Sequence, residues 1–522
     1  MSIYNNKMIR TPKHSHKKIL LLIFLIVTVV FAIVGGLLLN VVNIYGKIAE
    51  WSLDVPIDTD SFLEPDYGEL ESVAYYFDDR FPKYHLAWNQ VVGTKFKNDS
   101  DGFSEMTYTE VREYDFSDNE ALWTGTAFAG WTYKYLSAIQ ENNDTMKEFA
   151  LDVLVNLTSG LSMLMAVPNG GIGPEYGGIL ARGYAPPNGN DIWNDIFEEH
   201  PKHFNGTGKY SQWRWRGYTS NDEHGGYYLF LALALKYLQD IEPIYNNVSL
   251  IVDQLCRNMI DNNWLGIHGT GSTTGVDQKP LLFSGGFWIA LLLKMGSICY
   301  PDKYEHLYLH YMANDMVYLH ASEGGLQETV ANYYAYHFAY CVCLGYLLLE
   351  DLNSPIGQQY YEGFNSSIWA YTLNHRSPWY NALHLTIAHE SGITLARENT
   401  IVDDVEDQLT RYTNAHYPDL KYAGPVNVPG EYELFSPVEE FTEKYGIGEG
   451  LQDLLGIDAD EQFYNKPLTC DYLQADKWIW NDNPWNYEEP WGENLKREYP
   501  AISFTVPYWM MRYCGYLQAG GS

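Results

Sequence analysis

The chain has 522 residues, of which 46% are hydrophobic and only 19% charged. That composition excludes disorder and leaves ample material for a core. A formal net charge of −33 opposes contact with a phosphate backbone, so nucleic acid is excluded as a partner.

The first element is directed to a membrane. Lys7, Arg10, Lys13, Lys17 and Lys18 make residues 1–18 a basic tail, and an apolar run follows from Ile19 to Leu39. A helix of that length matches the hydrocarbon core of roughly 30 Å. The run is longer than a signal-peptide core and shows no small-residue cleavage site. Residues 19–42 are therefore expected to be a signal anchor in the lipid bilayer, with the basic tail in the cytoplasm. Residues 43–70 read as a stalk. Residues 71–522 then form one domain on the exterior face of the cell membrane. Outside a cell, sequons at Asn98, Asn143, Asn156, Asn205, Asn247 and Asn365 are candidate glycosylation sites. Of the six cysteines, Cys470 and Cys514 are the expected disulfide, while Cys341 and Cys343 read as packed thiols in an apolar helix.

Helix-like apolar spacing recurs at 120–140, 145–167, 224–238, 247–260, 285–298, 303–319, 329–349, 356–373, 379–391 and 504–517. Strand-like alternation is scarce, and the intervals 168–217, 261–283 and 415–500 read as long loops. The helices are of two kinds. Some are amphipathic, such as "TMKEFALDVLVNLTSGLSMLM". Six are apolar or aromatic nearly all round and start with small or polar residues, among them "NDEHGGYYLFLALALKYL" and "FTVPYWMMRYCGYL". A helix apolar on every side must be surrounded. Six surrounded helices alternating with amphipathic ones predict an all-α fold, an (α/α)6 toroid with long loops. A membrane bundle fits less well, because Tyr, His, Asn and Glu recur inside these segments; an irregular helical solenoid is the other alternative.

In a toroid the starts of the inner helices meet, and here those starts are polar. Ser117–Glu120 and Ser220–Glu223 both match the S-x-x-E capping box. Capping explains Ser117, Glu120, Ser220 and Glu223. It does not require Asp118, Asp222 or His224. Nor does it require Gly225 and Gly226, whose presence implies close approach by a ligand or another backbone.

The strings "DNEALWTG" (118–125), "GGILARGY" (177–184), "GYTSNDEHGG" (217–226) and "PYWMMRYCGYL" (507–517) together resemble a group of uncharacterised prokaryotic proteins over residues 75–517. The resemblance implies the six-hairpin toroid also used by glycoside hydrolases, sugar epimerases and polysaccharide lyases. The His-Gly-Gly that follows the acidic pair here departs from the group, which leaves the role of His224 open.

Inverting glycoside hydrolysis needs two carboxyl groups about 6.5–9.5 Å apart. Asp118 and Asp222 head neighbouring inner helices, and Glu223 or Glu175 can replace either. Arg182, in the glycine-rich loop, and Arg216, in "WRWRGY", are candidate clamps for a carboxylate or hydroxyl. Trp123, Arg376 and Trp379 are candidate rim contacts. His224 and His268, with a tyrosine, would serve a lyase. No zinc spacing, P-loop or nucleophile elbow is present, so neither a metal nor a cofactor is expected. The expected ligand is carbohydrate. The expected activity is that of a glycosidase, with a lyase or epimerase, or a non-catalytic glycan-binding surface glycoprotein, as alternatives.

Overall fold

The computed structural model describes residues 57–96, 111–267, 269–278, 286–313, 317–326, 333–417, 428, 430–435, 462–473, 483–485 and 497–520. All of them belong to one body, Ser52–Phe435 with Gln462–Ser522. The anchor segment 19–42, Asn98 and His268 lie outside the described residues.

Helices dominate this body. In chain order they are α1 Tyr67–Tyr84, α2 Glu120–Gln140, α3 Asp144–Asn169, α4 Asn221–Tyr237, α5 Glu242–Asp261, α6 Gly286–Cys299 and α7 Pro301–Met312. There follow α8 Val317–Leu326, α9 Tyr334–Leu349, α10 Pro355–Phe364, α11 Pro378–Ser391, α12 Glu398–His416 and α13 Ile502–Tyr513. Helix α2 packs on α4, α4 on α6, α6 on α9, α9 on α11, α11 on α13, and α13 returns to α2. These six close a ring. Helices α3, α5, α7, α10, α12 and α1 each pack on ring members and on the outside of the set. The sequence accounts for the division. Almost every residue of α2 and α4 is buried, whereas α5 buries only the stripe through Ile244, Val248, Ile251, Leu255 and Met259. Helix α3 is long and apolar enough to cross a membrane, but it packs against α2 and α5.

The ring helices run parallel. Their starts meet where Trp123 of α2 and Trp379 of α11 both lie on His337 of α9, with ring centroids 5.7 and 5.8 Å away. Their ends meet where Tyr513 of α13 lies against Tyr133 of α2 and Tyr237 of α4 and donates to Glu390 of α11.

The starts of α2, α4 and α9 are in close contact. A Cβ on Gly125 would lie 2.0 Å from the Gly226 carbonyl oxygen, and one on Gly226 would lie 2.2 Å from that of Leu122. A Cβ on Gly225 would meet Phe338 at 2.7 Å. The glycines heading α4 therefore serve close helix approach. Of the two occupants expected beside them, the structure places backbone and side chains there, not a ligand.

Two expected elements change. Residues 57–70, read as stalk, pack on the body. The Leu63 amide donates to Asp407 at 2.7 Å, Phe62 lies under Arg376 at 4.7 Å, and α1 has begun by Tyr67. The interval 168–217 carries a three-stranded antiparallel sheet. Its strands are β1 Gly183–Ala185, β2 His203–Asn205 and β3 Arg214–Arg216, with β3 central. No disulfide joins Cys470 to Cys514. The Cys514 thiol instead lies 3.6 Å from the Thr386 hydroxyl.

Candidate active site

The starts of α2 and α4 converge on one arginine. Strand β1 is preceded by Arg182, whose backbone N–H donates to the Arg216 carbonyl at 2.8 Å. Its guanidinium donates to the Tyr218 carbonyl at 2.8 Å, the Asp118 carbonyl at 2.7 Å and Asn119 Oδ1 at 2.9 Å. Its Nη1 is also 3.6 Å from Glu223 Oε1. A rigid fork of donors suits this work, because it ties three loop carbonyl groups and a carboxyl into one geometry.

Alternation along β3 buries Trp215 against Phe204 and turns Arg214 and Arg216 the other way. Arg214 is held by Asn205 Oδ1 at 2.7 Å. Arg216 forms an ion pair with Asp118 Oδ1. Asp118 is about one-third exposed, at 32%, and sits at φ 72°. Tyr218, before α4, is likewise left-handed at φ 62°. Left-handed non-glycine residues cost roughly 1–3 kcal/mol and gather at functional sites.

Four carboxyl groups share this corner in graded environments. Asp118 is the most open. Asp222 is half-buried, and desolvation raises its pKa against the pull of Arg182. Glu120 and Glu223 are fully buried. Desolvation, with the Asp118 charge in addition, pushes Glu120 up to about 8. Desolvation and the neighbouring Glu120 and Asp222 charges raise Glu223 well above the carboxylate range, against Arg182. Glu120 is therefore mainly protonated near neutrality.

The two capping boxes diverge from expectation. The first box does not form, because α2 starts at Glu120 with Asn119 as its N-cap; the Ser117 amide donates to Glu120 Oε1 at 2.6 Å within the turn that precedes the helix. The second oxygen, Oε2, has no partner and faces Gly183, where a Cβ would lie 2.8 Å away. In α4 the Ser220 side chain caps nothing. Glu223 instead reaches across to accept from the Ala121 amide of α2 at 3.1 Å. It is a cap for the neighbouring helix. Beside Glu120 stands an aromatic stack. Phe116 lies 3.7 Å from Trp193 and 5.7 Å from Trp88, and Trp193 also bounds Gly183.

Asp118, Asp222, Glu223, Arg182 and Arg216 lie at the adjacent starts of α2 and α4, and the other described candidates lie elsewhere. Glu175 is exposed and lines a separate cavity between α3 and α5. Trp123 and Trp379 are buried core residues. Arg376 is buried in ion pairs with Asp404 and Asp407. His224 is buried with Nδ1 3.0 Å from the Ser220 carbonyl, and desolvation lowers its pKa to about 4. Burial thus favours its neutral form. Among the sequons, Asn143 caps α3 by accepting from the Met146 amide at 3.0 Å, and Asn205 holds Arg214; Asn156 and Asn365 are exposed. No cluster of metal ligands occurs among the described residues.

Reasoning from sequence missed Glu120 as a member of the site, because capping explained it. It also missed Asn119 and Tyr218, which bind Arg182 through a side chain and a carbonyl. The positive φ that aims the Tyr218 carbonyl leaves no mark in the sequence.

No family model matches the chain, and no curated protein matches it. Its backbone is similar to the crystal structure of the cellulase Cel9M of C. cellulolyticum, with a TM-score of 0.38 and 10% identity. The match covers 87% of this chain and 100% of the cellulase chain. A likeness at that level carries no inference about activity.

Proposed function

We propose that the chain acts on carbohydrate as an inverting glycoside hydrolase, with Asp222 as proton donor and Asp118 as base. The observation that carries this reading is that Asp118 and Asp222, in unlike environments, head adjacent helices on either side of Arg182, which bonds the Asp118 carbonyl and acts on the Asp222 carboxyl. Desolvation favours the protonated form of Asp222, which suits donation to a glycosidic oxygen. Asp118, ion-paired with Arg216, takes the proton of the attacking water. Water attacks the anomeric carbon as the glycosidic bond breaks, and the leaving oxygen takes the proton of Asp222. The half-buried Trp88 and Phe116 offer apolar ring surface for a sugar. The apolar run at 19–39 would tether this activity to the exterior face of a membrane.

The test is release of reducing ends from a polysaccharide panel by the wild-type chain, Asp118→Asn and Asp222→Asn. Turnover is expected to fall by about 10²–10⁴ in each variant, with unfolding midpoints nearly unchanged. Full turnover in both variants would overturn the mechanism.

A second reading is favoured by the engagement of Glu223 as a cap and of Asp118 in an ion pair. In it the rim around Arg182 binds glycan without cleaving it. Saturable glycan binding without release of reducing ends, indifferent to Asp222→Asn, is its signature.

A further inference from the structure

A cavity of about 380 Å³ opens between α3 and α5, closed at one side by the loop 170–179 and at another by Lys209 and Tyr210. Its volume lies within the range of small-molecule sites, about 300–1,000 Å³. The loop wall is fixed by amide side chains. Asn169 donates to the Ile179 carbonyl at 2.7 Å and accepts from its amide at 3.1 Å. Gln254 accepts from the Gly173 amide at 2.9 Å and donates to the Gly177 carbonyl. A wall held at both strands of the loop costs little to order when a ligand arrives. One polar group remains unanswered. Ser162, on the α3 face of the cavity, is 8% exposed, and its buried hydroxyl oxygen has no hydrogen-bond partner.

We propose that this cavity is a saccharide-binding site, separate from the rim around Arg182 and sized for one or two sugar rings. The lining selects that chemistry. Ser159, Ser162 and the amide of Asn247 supply both donors and acceptors, as a polyhydroxylated ring requires. Tyr176 and Tyr210 add ring surface, and Met163 and Ile244 an apolar floor, for the C–H face of a sugar. Glu175 and Lys209 carry opposite charges, so the lining favours a neutral ligand over an anion. The site holds substrate and performs no chemistry, because among its described lining residues Glu175 is the one carboxyl group.

The experiment is calorimetric titration of the full-length chain with glucose, galactose, N-acetylglucosamine and their β-1,4-linked dimers, and with leucine as a zwitterionic contrast. One of the saccharides is expected to bind. Glu175→Gln and Lys209→Ala, both at exposed positions, are expected to weaken that binding at least about tenfold, since each removes a charged hydrogen bond. Ser162→Leu fills the cavity and is expected to abolish binding. Asp222→Asn, at the rim, is expected to bind the same sugar with the wild-type Kd. A site lost in Asp222→Asn and kept in Glu175→Gln and Lys209→Ala would overturn the proposal while leaving the rim reading intact. Leucine bound in preference to every saccharide, or no saccharide bound at millimolar concentration, would also overturn it.

Discussion

Replacing Gly226 by alanine probes the closest approach in the ring. A Cβ there would lie 2.2 Å from the Leu122 carbonyl oxygen and 2.6 Å from its Cα. Both obstacles are main-chain atoms of α2, so they yield only if the helix shifts. That shift loosens α2 against α13 and α3, on which it also packs. Alanine gains about 1 kcal/mol of helix propensity over glycine. Overpacking of a tight core costs about 1–3 kcal/mol and more where nothing can turn aside. The upper end applies here, which leaves a net loss of roughly 2 kcal/mol or more. Gly125→Ala, whose Cβ would lie 2.0 Å from the Gly226 carbonyl oxygen, is expected to lose a similar amount. The double variant should lose less than the sum, because a helix moved by one methyl group has already made room for the other. Gly430→Ala, with nothing within 4 Å, is the control, expected within about 0.5 kcal/mol of wild type. Urea unfolding followed by circular dichroism reads all four. Unchanged midpoints for Gly125→Ala and Gly226→Ala would refute the packing role of these glycines.

Stability is expected to fall with rising pH through Glu120. Its folded value of about 8 stands above the ordinary 4.5, so between those values the native state keeps a proton that the unfolded chain has released. Stability is therefore greatest at or below about pH 4.5 on this account and declines toward pH 8, by up to about 1.4 kcal/mol per pH unit. Glu120→Gln should flatten that decline; urea midpoints from about pH 5 to pH 8 that keep the wild-type slope would count against it. Lys134 is buried, bonds Asp78 at 2.7 Å and lies over the rings of Trp131 and Trp509. Lys134→Ala is expected to cost about 3–5 kcal/mol in urea unfolding. Lys134→Met with Asp78→Leu should cost less than that single change, because no lone buried charge remains. Arg182→Lys keeps the charge and removes the fork. It should lower both the thermal midpoint and any turnover on polysaccharide, and a normal thermal midpoint would show that the loop carbonyls do not need it.

The ring helices were legible because burial on all sides leaves an apolar record without a polar stripe. Residues 120–140 match α2 to the residue, and 379–391 differ from α11 by one. Helix α12 escaped notice for the opposite reason. Its inward face carries Asp404, Asp407 and Gln408, which break the apolar period, and those acids are inside because Arg376 and Arg411 neutralise them. The expected helix 303–319 covers most of α7 and the start of α8, and no change in apolar spacing marks the division. At the site, the acids were visible as residues that capping did not need. Their burial was not. Glu223 sits in a good capping sequence, yet it caps the helix beside its own, a choice fixed only when Gly125 and Gly226 bring the two helix starts together.

That same closeness shapes the helix starts. Trp123, Trp379, His337 and Phe338 are buried between the described helix starts. The starts are also where the chain departs from relaxed geometry. Asp118, Tyr218, Arg376 and Ala501 all have positive φ, and each stands within three residues of the start of a ring helix, α2, α4, α11 or α13. The chain thus enters four ring helices through a left-handed residue at a cost of roughly 1–3 kcal/mol each. At α11 the turn aims Arg376 into Asp404 and Asp407, where it serves the core. At α13 it carries an alanine, with no polar group to present. Among these four, the turns at α2 and α4 put an acid and the Tyr218 carbonyl, which accepts from Arg182, beside one partly exposed guanidinium. Among the described residues this device recurs at four ring helices, and at the pair joined by Arg182 it stands beside carboxyl groups of unlike environment. Stability alone would be served by the arrangement at α11, in which every charge is buried and paired. The one-third-exposed Asp118 and the desolvated Asp222 depart from it, and that departure is what the proposed carboxylate pair rests on.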